Sequence, residues 1–309
     1  MKVSVKVATG VDVDETFYFS INRFTTGAGL MKKVVSHPKL HIYGAEWLGL
    51  QYLDTNGANW LWLRSYKRVL KHGISTFNPM LLSVLYFPLD VRTSSLFCSR
   101  TIMIFYRCVQ EQILSERICT ATPRLDVEDD IIFRLAALSL QIRHGNWNRT
   151  SNNSDYLFQY RNLLPDRFYA EYPFEWKSRL CDYHKLHIRK DQQTAINEYL
   201  KLAQTLTMYG VHYFRVGRKT GAKLKEANFL GIYAGGINIY NVDDKRNPTQ
   251  ALPWSDIISC SYRKTRRLKY RFIVQHCNDT FIFSVGSKRH CKLMRMVANV
   301  NRELYEIPA

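Results

Sequence analysis

Hydrophobic periodicity changes twice along this 309-residue chain, from two residues to 3.6 and back to two. A chain patterned so must fold as β layers flanking an α layer rather than as one repeating unit. In the first ninety residues KVSVKVA (2–8) and TFYFSI (16–21) alternate as strands, and LMKKVVSHP (30–38) has the spacing of a short helix ended by Pro38. WLGLQYLD (47–54) and NWLWL (59–63) flank Thr55-Asn56-Gly57-Ala58, where Asn-Gly signals a tight hairpin turn, and LLSVLYF (81–87) reads as a fifth strand.

Helical spacing takes over in SRTIMIFYRCVQEQIL (99–114), VEDDIIFRLAALSLQIR (127–143) and DQQTAINEYLKLAQTLTMYG (191–210). In the last, Asp191 reads as the N-cap and Gly210 as the stop. From Val211 strands return in VHYFRVG, NFLGIYAGGINIYNVD, DIISCSY, LKYRFIV and TFIFSVG, with turns at Asp243-Asp244, Asn247-Pro248 and Asn278-Asp279. A closing helix over 287–305 would carry Leu293, Met296, Val297, Val300 and Leu304 as its apolar stripe.

Charge narrows the partner class. The chain has 44 Lys and Arg against 26 Asp and Glu, a net +18. From Thr205 onward the balance is 18 against 7, so +11 of the excess falls in the last third. The densest stretch is SCSYRKTRRLKYRFIV (259–274), in which Leu268, Tyr270, Phe272 and Val274 share one strand face and Arg267, Lys269 and Arg271 the other. That row of cations is either a charged edge that resists edge-to-edge pairing or a surface for anions: nucleic acid, an acidic membrane or an acidic protein segment.

Other signals point away from chemistry. The N-terminus is broken by charges before a signal peptide's apolar core could form, and MLLSVLYFPL is about half the length of a membrane span, so a soluble, cytoplasmic chain is expected. Seven scattered cysteines form no Cys-x-x-Cys pair and read as reduced thiols. His276-Cys277 and His290-Cys291 lack metal-ligand spacing, and Gly231, Gly235 and Gly236 do not follow a nucleotide loop. No nucleophile motif is present, so neither enzyme activity, metal nor cofactor is expected.

Particular stretches carry a family resemblance. EYLKLAQTLTMYGVHYF (198–214), GINIYNVDDKRNPTQALPWSDIISCSY (236–262) and NRELY (301–305) are similar to the FERM domains of ezrin, radixin, moesin and merlin, as are WLGLQYLDTNGANWLWL (47–63) and LAALSLQIRHGNWN (135–148). The resemblance runs nearly the whole chain in order. It implies an α+β, three-lobed FERM cloverleaf: a ubiquitin-like roll over 1–90, an all-α acyl-CoA-binding-protein-like bundle over 91–206, and a PH/PTB-like β-sandwich with a C-terminal helix over 207–309.

It also implies a non-enzymatic membrane–cytoskeleton adaptor. Such a module binds phosphatidylinositol bisphosphate or another anionic lipid and the cytoplasmic tails of membrane proteins, with cytoskeletal proteins as indirect partners. It would sit peripherally at the inner face of the plasma membrane and cell cortex. In the family the headgroup lies between the first and third lobes; Arg64, Lys67 and Arg68 stand nearest the first-lobe positions, Trp62 replacing one family lysine, and Lys292 matches the basic residue of the last helix. Arg263, Lys264, Arg266, Arg267, Lys269 and Arg271 amplify a third-lobe lysine cluster of the family.

For tail peptides the resemblance implies strand addition at Ile257, Ser259 and Cys260 against Arg295 and Asn299 of the last helix, the latter two replacing apolar family residues. Two alternatives stay open. One is the targeting FERM module of a larger signalling enzyme such as a tyrosine phosphatase. The other is a nucleic-acid-binding protein, which would need aromatics on the cationic face, whereas Tyr270 has the buried parity.

Overall fold

The computed structural model describes residues 1–53, 60–74, 78–88, 98–114, 129–147, 163–172, 174–206, 209–220, 223–241, 248–265, 270–277 and 279–305. The chain divides into two compact units, the second beginning in the main at Leu206.

The first unit opens with the hairpin of β1 (Lys2–Ala8) and β2 (Asp14–Ser20), paired from Lys2 opposite Ser20 to Ala8 opposite Asp14. Helix α1 (Gly27–Val35) starts where the Thr26 side chain accepts from Gly29 N, and it ends before Pro38. Strands β3 (Leu48–Leu53), β4 (Trp60–Trp62) and β5 (Met80–Val84) complete a sheet of order β2-β1-β5-β3-β4. Every neighbouring pair is antiparallel except β1 and β5, which run parallel at its centre. Alternation in β1 and β2 buries Val3, Val5, Val7, Phe17 and Phe19, and α1 buries Leu30 and Val34. The expected turn at Thr55–Ala58 lies outside the described residues.

The helices of the same unit are α2 (Ser99–Leu114), α3 (Asp129–His144), α4 (Asp166–Glu171), α5 (Trp176–Lys185) and α6 (Gln192–Ala203). Residues 135–142 are all buried, so α3 is wrapped on every side over those two turns and is the bundle's central helix. Asp191 caps α6 by accepting from Thr194 N at 2.7 Å, but the helix ends at Ala203 rather than running to Gly210, whose positive φ belongs to a later turn. Bundle and roll are joined by α2 side chains that donate to loop carbonyls and by an ion pair from α3. Thr101 Oγ1 donates to Tyr43 O at 2.5 Å, Arg100 to Thr9 O and Arg107 to Val11 O, while Arg143 pairs with Asp12 at 3.0 Å.

The second unit is a seven-stranded antiparallel sheet of order β10-β11-β12-β6-β7-β8-β9. Its strands are β6 (His212–Thr220), β7 (Lys223–Tyr233), β8 (Gly236–Asn241), β9 (Gln250–Pro253), β10 (Ile257–Lys264), β11 (Tyr270–His276) and β12 (Thr280–Val285), followed by α7 (Lys288–Tyr305). Leu230, Ile232, Ile237, Ile239, Trp254, Phe272, Val274 and Phe283 form the core with Met294, Val297 and Ala298 of α7. The stripe expected on the closing helix is therefore rotated: Cys291, Met294, Val297, Ala298 and Asn301 are buried, whereas Leu293, Met296 and Val300 are half-buried. Asn301 can sit there because its amide donates to Val297 O, one turn back. No helix among the described residues is long and apolar enough to cross a membrane.

Candidate lipid- and peptide-binding surfaces

The cations of the roll project from a pinned segment. Gly27 N donates to Lys67 O at 3.0 Å, Ala28 N to Ser65 O at 2.8 Å, and Thr26 bridges to Arg68, so the chain after β4 is tied to the start of α1. A Cβ on Gly27 would lie 2.3 Å from Arg64 O, a distance no side chain tolerates. Arg68 is exposed and Arg64 and Lys67 are half-buried. Trp62 packs over Gly49, where a Cβ would come within 2.8 Å of the indole.

In the second unit the β10–β11 register sets Arg263 directly opposite Arg271 and Lys264 opposite Tyr270. Directly opposed side chains are about 5 Å apart at Cβ, so Arg263 and Arg271 leave the ladder as neighbours on one face. Arg263 and Lys264 are exposed and Arg271 is half-buried; Arg266, Arg267 and Lys269 lie outside the described residues. Tyr262 and Tyr270 pack against the core, which leaves the face of Arg263 and Arg271 without their rings, while Lys264 shares the side of Tyr270. Lys292 is half-buried on α7, whose first turn holds Lys288 and Arg289 and no acid. Cations at the positive end of a helix dipole reinforce the local potential instead of offsetting it.

Strand β10 terminates the sheet, so its outer backbone groups form an edge. Ile257 is buried in the core and presents no side chain there. Ser259 Oγ donates to Gln275 Oε1 at 2.6 Å, and Cys260 is packed inward, burial pushing its thiol up to about 11. Arg295 and Asn299 are exposed on α7. A bulge between Ile257 and Ser259 turns Ile258 outward to 59% exposure, and its carbonyl accepts from Arg302 Nη1 at 2.7 Å. Neither Ile258 nor Arg302 was readable as part of this surface, because a bulge resets the period-two pattern.

Family models match residues 92–214 as the FERM central domain and 222–308 as the FERM C-terminal PH-like domain. The moesin/ezrin/radixin homolog 1 of Culex quinquefasciatus is 32% identical over 308 residues, 98% of this chain and 50% of that protein, and its Aedes aegypti counterpart is also 32% identical. The crystal structure of the FERM and C-terminal domain complex of Drosophila Merlin superposes with a TM-score of 0.80 at 25% identity, covering 98% of this chain and 96% of that one. The chain belongs to the FERM family, of the ezrin, radixin, moesin and merlin type.

The myosin VII MyTH4-FERM MF2 domain of Dictyostelium discoideum has the same fold at 12% identity, with a TM-score of 0.73 over 98% of this chain and 58% of that one. This FERM chain spans about half the length of the curated relatives it matches. Its histidine–cysteine dipeptides have a structural explanation in one case. His276 Nε2 lies 3.8 Å from the Asp256 carboxylate and Cys277 Sγ donates to Asp256 O at 3.2 Å, so both residues hold the start of β10. Among the described residues no three His, Cys, Asp or Glu are grouped to hold a metal ion.

Proposed function

We propose that this FERM domain is a membrane–cytoskeleton adaptor module that docks on phosphoinositide-bearing leaflets through its cationic surfaces and holds the tail of a membrane protein along β10. The observation that carries the reading is the cross-strand pair of Arg263 and Arg271. Like charges placed directly opposite destabilise a sheet, and an anion that supplies the missing counter-charge relieves that cost. Phosphates of a headgroup fit that need, and each basic side chain near an anionic leaflet contributes about 1 kcal/mol.

Family membership supports the same reading, and in the Drosophila Merlin structure the FERM domain is in complex with a C-terminal domain. Strand addition along β10 draws on its place at the sheet edge. Nucleic-acid binding is less well supported, since the tyrosines of the cationic hairpin face inward. Co-sedimentation at near-physiological salt tests the lipid reading, comparing vesicles of phosphatidylinositol bisphosphate and phosphatidylserine at matched surface charge. Wild type is expected to prefer the bisphosphate and Lys67→Glu/Lys292→Glu to lose the preference; equal binding of both lipids by both proteins would overturn it.

A further inference from the structure

Phe24, at the tip of the turn between β2 and α1, is 57% exposed. The guanidinium carbons of Arg23 and Arg68 lie over its ring, 4.8 and 5.2 Å from the centroid. Exposure here does not come from a loose loop. Asn22 Oδ1 accepts from Phe24 N at 2.9 Å and from Thr25 Oγ1 at 3.1 Å, Asn22 N donates to Thr25 Oγ1 at 3.0 Å, and Val69 N donates to Thr25 O at 2.9 Å. The turn is thus stitched to itself and to the basic segment, and it holds an apolar ring outward in water.

The surroundings match that ring to one kind of partner. Tyr66 and Leu70, two residues to either side of Arg68, are 67% and 41% exposed. Residues 20–33 and 60–74, which the backbone bonds bring together, contain seven Lys and Arg and no Asp or Glu. Apolar tips set among cations with no carboxylate are complementary to the boundary of an anionic leaflet, where phosphates lie outside and acyl chains begin a few ångströms deeper. A stacked nucleic-acid base would have to compete with the guanidinium groups for the ring, whereas insertion leaves both in place to meet phosphate.

We propose that Phe24 is a membrane-inserting wedge: its ring enters the headgroup–acyl boundary of an anionic leaflet while Arg23 and Arg68 pair with lipid phosphates beside it. The proposal rests on the lipid-docking reading and adds an apolar component that salt does not screen. Coulomb attraction fades as the Debye length shrinks to about 3 Å near 1 M salt, while the transfer of an apolar ring from water persists.

The test uses the full 309-residue chain and vesicles of phosphatidylcholine with phosphatidylserine, the phosphatidylcholine brominated on its acyl chains in a parallel set. Phe24→Ala is expected to lower the partition coefficient about tenfold and to lose most of the binding that wild type retains at high salt. Phe24→Leu should stay within about threefold of wild type, since it keeps most of the apolar area. In Phe24→Trp, the fluorescence added relative to wild type should shift to the blue on binding and be quenched by the brominated lipid.

If wild type binds these vesicles while Phe24→Ala binds equally well and the added tryptophan is not quenched, the wedge is overturned and lipid docking stands. Failure of wild type to bind either these or bisphosphate vesicles would overturn both. Binding of poly(U) that depends on Phe24, with vesicle binding independent of it, would overturn the wedge in favour of a nucleic-acid surface. Because the ring is exposed, all three variants are expected to melt within a few degrees of wild type, and thermal unfolding checks that the comparison is between folded chains.

Discussion

Arg271 has two opposing effects at one position. Facing Arg263 across the β10–β11 ladder, it costs the sheet a cross-strand repulsion, and facing solvent it adds to the potential that an anion meets. Arg271→Gln removes both. Its unfolding free energy, measured by urea titration, is expected to rise by about 0.2–1 kcal/mol, while its affinity for bisphosphate vesicles falls about fivefold, the equivalent of one lost basic contact near the leaflet. A charge serving only to discourage edge pairing would give the first change without the second. The cations themselves were legible in the sequence; their pairing was not, because it depends on the register of a hairpin whose connecting residues carry no single decisive turn signal.

Among the elements, the segment after β4 depends on a residue it does not contain. Gly27 opens α1, and its missing side chain is what lets the backbone at Arg64 and Ser65 pass close enough for Lys67 O and Ser65 O to accept the bonds from Gly27 N and Ala28 N. Gly27→Ala is expected to destabilise the roll by about 1–3 kcal/mol through overpacking and to weaken vesicle binding although no charge has changed. Paired thermal melts and co-sedimentation check both. β1 and α2 occupy the same residues that their periodicity predicted, Lys2–Ala8 and Ser99–Leu114, since each carries an unbroken apolar pattern. α5 went unseen because its buried positions are Trp176, Leu180 and His184, the last a polar residue held by Gly145 O and Gln141 Oε1. β9 is four residues long with only Leu252 buried and a proline at its end, too little for a period to show. Phe24 was invisible for another reason: one aromatic in a polar turn means nothing until Arg68, distant in sequence, is seen beside it.

For the whole molecule the dominant quantity is the net charge of +18. A compact chain with so much like charge repels itself, and the same field attracts anions. Raising NaCl from about 50 mM to about 500 mM is therefore expected to move two measurements in opposite directions: the melting temperature rises as self-repulsion is screened, and the phosphatidylserine-vesicle partition coefficient falls more than tenfold. Differential scanning fluorimetry and co-sedimentation on one preparation check the pair, and a melting temperature that falls with salt would show that specific ion pairs, such as Arg143 with Asp12, outweigh the general repulsion.

The parallel pairing of β1 with β5 reaches beyond the finished structure into synthesis. β5 lies between β1 and β3, so the roll cannot close its sheet until Met80–Val84 has been made, about 60 residues after Ser20. At about 5–20 residues per second that interval is on the order of 3–12 s. Throughout it the edge of β1 that β5 will cover stays bare, rich in valine, on a growing chain among other growing chains. The nascent roll is therefore exposed to misassembly for seconds, and a ribosome pause just before Met80 would lengthen that exposure more than the same pause placed after Val84.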